Sequence, residues 1–199
     1  MCKYNQRILK SSNHILMYNE VDMIKILFIE NNKDILAYKS KMWELICLCD
    51  KDFFPALSTR ENSLDGPKKY FEGLFIKEAK FLLAFSEEKL IGFSIFFHNY
   101  FDKLITKFTP CNYIKIACVH PDYRGLRIAS TFNNFIEEKL PSYLVLPYIV
   151  RRTWSTNVPQ LRLLENNGYS LIHKSDNDRG NNVSTVYFAK LINSKPDVA

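Results

Sequence analysis

The residues from His120 to Phe132, HPDYRGLRIASTF, could bind an anion. They follow an apolar run, YIKIACV (Tyr113–Val119), that reads as a strand, and they lead into RIASTFNNFIEEKL (Arg127–Leu140). There Ile128, Phe132, Phe135, Ile136 and Leu140 recur at helical spacing. A strand that turns into a helix aims several free backbone N–H groups at one point, and the helix dipole adds partial positive charge. A pyrophosphate suits such a cradle. Gly125 lets the backbone come close to a ligand, and Arg124 and Arg127 add charge. The alternative is a plain structural joint that binds nothing.

A second motif follows in WSTNVPQLRLLENNGYSLI (Trp154–Ile172). Asn157 is a helix cap, Pro159 stands early in the helix, Leu161, Leu163 and Leu164 form its apolar side, and Gly168 ends it.

The elements that must hold these motifs can be read along the chain. MIKILFIE (Met23–Glu30) is a strand. NNKDILAYKSKMWELICLC carries Ile35, Leu36, Met42, Trp43, Ile46 and Cys47 on a helical face, with Asn32 as its cap. Lys51–Pro67 is a loop, and Lys68–Ile76 is a short second helix. KFLLAFSEEKLIGFSIFF is a hairpin turning at Ser86–Lys89. YLVLPYIVRRTW is a strand bent at Pro147, and SLIHK and STVYFAKLI close the chain as strands. The fold class is therefore α/β in an α+β layered arrangement. It is a single domain with a central mixed, mostly antiparallel sheet of about seven strands and about four helices. Residues 1–21 read as an N-terminal extension with one stray strand, 22–193 as the domain, and 194–199 as a tail.

Composition narrows the function. Of the 199 residues 47% are hydrophobic, with 15 Phe and 11 Tyr, so a real core is expected. Lys and Arg number 27 against 21 Asp and Glu, a net charge of +6 that is spread along the chain. The aromatics follow core periodicity rather than a stacking platform, which argues against a nucleic-acid binder. Five cysteines at irregular spacing and four histidines offer no zinc pattern, so no metal is expected and the thiols are taken as reduced and mostly buried. MCKYNQRILKSSNH lacks the apolar core of a secretory signal, and no apolar run is long enough for a membrane span. The expectation is a cytoplasmic protein with no membrane partner.

Taken together, VHPDYRGLRIA and NVPQLRLLENNGY resemble the GNAT superfamily of acyl-CoA-dependent N-acetyltransferases. Its central motif, [QR]-x-x-G-x-[GA] after V-x-P, is matched at Val119, Pro121, Arg124 and Ala129. The later N-x-x-A-x-x-L-Y-E-K-x-G-F pattern is matched at Asn157, Leu163, Glu165, Gly168 and Tyr169. The resemblance covers about Met23 to Ile192. It implies acetyl-CoA as cofactor, with a strand that splays from YLVLPYIV and offers the backbone of Cys118 and Val119 to the pantetheine arm. The amides of Arg124, Gly125, Leu126, Arg127, Ile128, Ala129 and Ser130 would hold the pyrophosphate, and Asn157 would contact the pantetheine or acyl group. A primary amine of a small molecule or a peptide would attack the thioester directly, so Cys118 is a core residue and not a nucleophile. Homodimers are frequent in this family.

Three positions depart from the family pattern. Arg127 replaces its central Gly, and its side chain must turn away from the pyrophosphate or reach the 3′-phosphate. Leu164 occupies the place of a Tyr that protonates the departing thiolate, leaving Tyr169, Tyr148 or water for that task. The strand before the joint offers Lys115 and no carboxylate as base, leaving His98, Glu87, Glu88, Asp102 and His120. Tyr169 and His98 are the catalytic candidates carried forward. The same gaps motivate a runner-up: a catalytically silent acyl-CoA-binding or regulatory module.

Overall fold

Asn31 opens the first helix by accepting hydrogen bonds from the backbone N–H groups of Lys33 and Asp34. The cap therefore lies one residue before the expected Asn32. Asn32 instead donates from Nδ2 to the carbonyls of Phe75 and Ile76, both at 2.9 Å. The computed structural model describes residues 6–11, 14–19, 24–61 and 66–192, with side chains from 24–60 and 66–192. The tail 194–199 and the remainder of the extension lie outside the described residues.

The elements are β1 (Gln6–Ser11), β2 (His14–Asn19), β3 (Ile24–Ile29), α1 (Asn32–Ile35), α2 (Lys39–Leu48), α3 (Leu57–Glu61), α4 (Lys68–Glu72), β4 (Ala79–Ser86), β5 (Lys89–Tyr100), β6 (Cys111–Val119), α5 (Ile128–Asn134), β7 (Tyr148–Trp154), α6 (Val158–Asn166), β8 (Ser170–Ser175) and β9 (Thr185–Leu191). Two strands, not one, stand in the extension. α3 lies inside the stretch expected to be loop. The helix expected to run from Arg127 to Leu140 is α5 followed by one π-helical segment, Phe135–Lys139. β7 begins only after Pro147, because a proline there cannot donate to a strand ladder.

The chain divides into two compact units, residues 1–96 with 116–134, and 97–115 with 135–199. β5 and β6 contribute to both. In the first unit the strands follow the order β1-β2-β3-β4-β5-β6, with β1, β2, β3 and β4 pairing antiparallel in succession. Its core holds Phe28, Phe81, Phe93, Phe96, Met42, Ile46 and Phe132, all at most 1% exposed. Phe28 stacks on Phe96 with ring centroids 6.4 Å apart. Gly92 permits a close approach: a Cβ there would meet Ile128 Cγ2 at 3.1 Å and the Cys118 carbonyl at 3.2 Å. The start of α5 thus seats on the sheet where β5 has no side chain.

In the second unit the order is β5-β6-β7-β9-β8. β6 and β7 are parallel, paired from Cys111–Tyr148 to Ile114–Arg151. β7 and β9 pair antiparallel along their full length, and β8 pairs β9 with an irregularity between Leu171 and His173. Tyr113, Phe135 and Val150 are among its buried residues. Among the described residues, no helix is long and apolar enough to cross a membrane.

Candidate coenzyme site

The joint after β6 is built by local hydrogen bonds. His120 N–H donates to the Ile91 carbonyl at 2.8 Å, which fixes the end of the strand on β5. Pro121–Tyr123 form one 3-10 turn, closed by Arg124 N–H on the Pro121 carbonyl at 3.2 Å. His120 Nδ1 accepts from Asp122 N–H, so its ring proton sits on Nε2. Arg124 is extended, Gly125 has φ 85° and Arg127 has φ 59°. The Arg127 carbonyl accepts from Thr131 N–H at 2.9 Å and from Thr131 Oγ1 at 3.1 Å, so Arg127 acts as the cap of α5. The amides of Ile128, Ala129 and Ser130 therefore belong to the first turn, where no intrahelical carbonyl exists for them. Residues 124–127 are exposed, and the space beside Gly125 is open: a Cβ there would meet nothing within 4 Å.

Arg124 does more than add charge. Its Nη2 pairs with Asp52 Oδ2, the two side chains being 48% and 49% exposed, and its Nε donates to the Val119 carbonyl at 3.3 Å. The side chain is a strut that ties the turn after α2 to the end of β6. A half-exposed ion pair of this kind contributes only about 0.2–1 kcal/mol, so its value lies in geometry.

Asn157 caps α6 as the sequence suggested. Its Oδ1 accepts from Gln160 N–H at 3.4 Å, and its Nδ2 donates to Thr153 Oγ1 at 3.0 Å. Leu164 is 1% exposed, an apolar residue of the core.

Of the two catalytic candidates, Tyr169 is 4% exposed and donates from Oη to Glu137 Oε1 at 2.8 Å. Lys190 Nζ donates to the other oxygen of Glu137 at 2.6 Å, and the Arg151 guanidinium lies 5.3 Å from the Tyr169 ring centroid. Burial pushes the Tyr169 phenol well above its usual range; Arg151 opposes this and Glu137 adds to it. His98 faces Asn112, with Nδ1 at 2.9 Å from Asn112 Oδ1. Asn112 is 1% exposed, and its Nδ2 donates to the Leu144 carbonyl at 2.8 Å. A carbonyl can only accept, so the amide orientation of Asn112 is fixed and Oδ1 must accept from His98. The neutral His98 ring then carries its proton on Nδ1 and presents the Nε2 lone pair.

The remaining candidates are otherwise occupied or exposed. Glu87 and Glu88 form the exposed hairpin turn. Asp102 caps the turn that follows it, accepting from Leu104 N–H at 2.9 Å. Tyr148 packs edge-on against Phe108 at 5.2 Å. Sequence reasoning missed Asn112 and Glu137. The only sign of Asn112 was a lone polar residue at the head of an apolar strand; Glu137 carried no sign. Among the described residues, no group of three or more His, Cys, Asp or Glu could hold a metal ion.

Residues 42–169 match the family model described as the Acetyltransferase (GNAT) family. The chain belongs to the GNAT acetyltransferase family. No curated protein matches it. Solved structures of similar fold include an aminoglycoside 6′-N-acetyltransferase complexed with coenzyme A (TM-score 0.59, 16% identity, covering 85% of this chain and 99% of that one). Another is Arabidopsis thaliana NAA60 in complex with a bisubstrate analogue (TM-score 0.58, 17% identity, 85% and 99%). A third is the Salmonella typhimurium acetyl transferase that modifies the N-terminal serine of ribosomal protein L7/L12 (TM-score 0.59, 14% identity, 84% and 95%). Two of the three departures named above now have structural form. Arg127 stands in left-handed backbone at φ 59°, and Leu164 is buried in the core.

Proposed function

We propose that this chain is an N-acetyltransferase that uses acetyl-CoA to acetylate a primary amine of a small molecule, peptide or protein by direct attack. The observation that carries this reading is the joint after β6: an exposed turn with open space at Gly125, leading into the first-turn amides of α5. In this reading the N–H groups of Arg124, Gly125, Leu126, Arg127, Ile128, Ala129 and Ser130 hold the pyrophosphate. The paired register of β6 with β7 stops at Ile114, which supports the backbone of Cys118 and Val119 as the edge for the pantetheine arm. Asn157 adds a side-chain hydrogen bond. When bound, acetyl-CoA supplies the acetyl group as an activated thioester.

His98 is the base in this reading, with Nε2 taking a proton from the acceptor ammonium directly or through water. Tyr169 is the other candidate, as proton donor. Its phenol is raised and committed to Glu137, so the physics favours it as a group that orders Glu137 and Lys190, with water supplying a proton to the departing thiolate. The test is incubation with acetyl-CoA and an amine panel while free thiol is followed. Thiol release with at least one acceptor, lost in Gly125→Asp, supports the reading.

A second reading, an acyl-CoA-binding module without turnover, is favoured by one observation: Leu164 is buried and cannot donate a proton. Calorimetric binding of CoA with no turnover across the panel selects it. No heat with CoA or acetyl-CoA overturns both readings.

A further inference from the structure

A cavity of about 250 Å³ in the first unit is lined by no residue that the acetyl-transfer reading uses. One face of α2 gives it Lys41, Glu44, Leu45 and Leu48, whose spacing of three and four residues puts them side by side. The start of β5 adds Lys89 and Leu90, and the joint after β6 adds His120. Leu45 and Leu90 are 3% and 6% exposed and make an apolar base, while Leu48 is 52% exposed. Lys41 Nζ donates to the carbonyl of Glu88, the residue before Lys89, at 3.1 Å. Lys89 Nζ lies 5.1 Å from the Tyr123 ring centroid, and that ring packs edge-on against His120 at 5.5 Å. We propose that this cavity is a binding site for a free α-amino acid with an apolar side chain.

The lining answers such a ligand group by group. Lys41 and Lys89 attract its carboxylate; an ammonium carries three donors, and Lys41 uses one of them on the Glu88 carbonyl. Glu44 accepts from its ammonium, and among the described residues no cation is ion-paired with Glu44. His120 keeps its ring proton on Nε2, a further donor to the carboxylate. The apolar side chain covers Leu45, Leu90 and the exposed part of Leu48, which removes apolar surface from water. A simple carboxylate would meet the like charge of Glu44, and a simple amine those of the two lysines. The volume also fits: clefts for drug-sized molecules run from about 300 to 1,000 Å³, and this one is smaller.

The site abuts the coenzyme turn without sharing its residues. His120 N–H is bonded at 2.8 Å to the carbonyl of Ile91, the residue after Leu90. A ligand seated on Leu90 and His120 therefore steadies the bond that fixes the end of β6 on β5. Binding here does not depend on acetyl transfer, and the site serves an enzyme and a silent module alike.

The test uses the full chain, without acetyl-CoA, and saturation-transfer NMR with L-leucine as the probe. Leucine should bind saturably at millimolar concentration. Leucinamide, which lacks the carboxylate, and isocaproate, which lacks the ammonium, should each bind at least about tenfold more weakly, the loss expected when a hydrogen-bonded charge is removed. Glu44→Gln should reduce the preference for leucine over isocaproate, and Lys89→Gln the preference for leucine over leucinamide. Both side chains are exposed, so these variants should keep the fold. Coenzyme A should leave leucine in place. No saturable binding of leucine to the native chain overturns the proposal. So do isocaproate binding as well as leucine, leucine affinity unchanged in both variants, and competitive displacement of leucine by coenzyme A.

Discussion

Gly125 and Arg127 both hold left-handed backbone, at φ 85° and 59°, with Leu126 between them and α5 beginning at the next residue. A glycine bears this conformation freely; an arginine bears it at a cost of roughly 1–2 kcal/mol, because its Cβ crowds the following carbonyl. Thr131 helps to hold Arg127 there by donating twice to its carbonyl. The backbone at Arg127 is thus one that a glycine would hold without strain.

Arg127→Gly should therefore stabilise the protein by up to about 1 kcal/mol, the strain relieved being partly offset by the freedom glycine adds to the unfolded chain. Chemical denaturation checks this: the midpoint should rise with the slope unchanged. A fall would mean that the Arg127 side chain makes contacts worth more than the strain.

Gly92→Ala should be harmful for a different reason. The new methyl would meet Ile128 Cγ2 at 3.1 Å and the Cys118 carbonyl at 3.2 Å, and a strand carbonyl yields little. A loss of about 1–3 kcal/mol is expected from overpacking. Gly125→Ala meets no neighbour and should cost only the backbone term, about 1–2 kcal/mol. Thermal unfolding of Gly92→Ala with and without CoA checks the companion expectation that the start of α5, where the methyl clashes, is disturbed together with coenzyme binding.

Tyr169→Phe should remove a pH dependence. The folded phenol is held above its usual value, so the unfolded chain releases this proton first, near pH 10. Above that pH the unfolded state binds fewer protons than the native one, and stability falls as pH rises. The Tyr169 contribution is present in full below about pH 10 and is lost going upward. Comparing unfolding midpoints at pH 8 and in the alkaline range, Tyr169→Phe should lose less than the native chain. It should also be less stable at pH 8 by about 1–3 kcal/mol, because Glu137 loses a donor.

His98→Gln should lower kcat by about 10²–10⁴-fold, the usual contribution of a general base, while CoA binding is unchanged. The neutral ring should show its proton on Nδ1 in long-range 15N–1H spectra, because Asn112 Oδ1 can only accept. A proton on Nε2 would contradict that geometry, and undiminished kcat would remove His98 from the chemistry.

What the sequence determined by itself was local. The strand before His120, the turn at Arg124–Gly125, the cap at Asn157 and the order of strands and helices follow from hydrophobic period and from glycine, proline and asparagine signals that act over a few residues. Its errors were local too: a cap displaced from Asn31 to Asn32, a helix missed at Leu57–Glu61, and a helix expected to run unbroken where Phe135–Lys139 widens into π form. Only the tertiary structure decided the long-range polar pairs. His98 meets Asn112 across 14 residues, Tyr169 meets Glu137 across 32, and Cys49 meets the Val119 carbonyl across 70. Strand register and helix seating bring such partners within hydrogen-bond reach. Those depend on how the whole chain packs, which no short stretch of residues encodes.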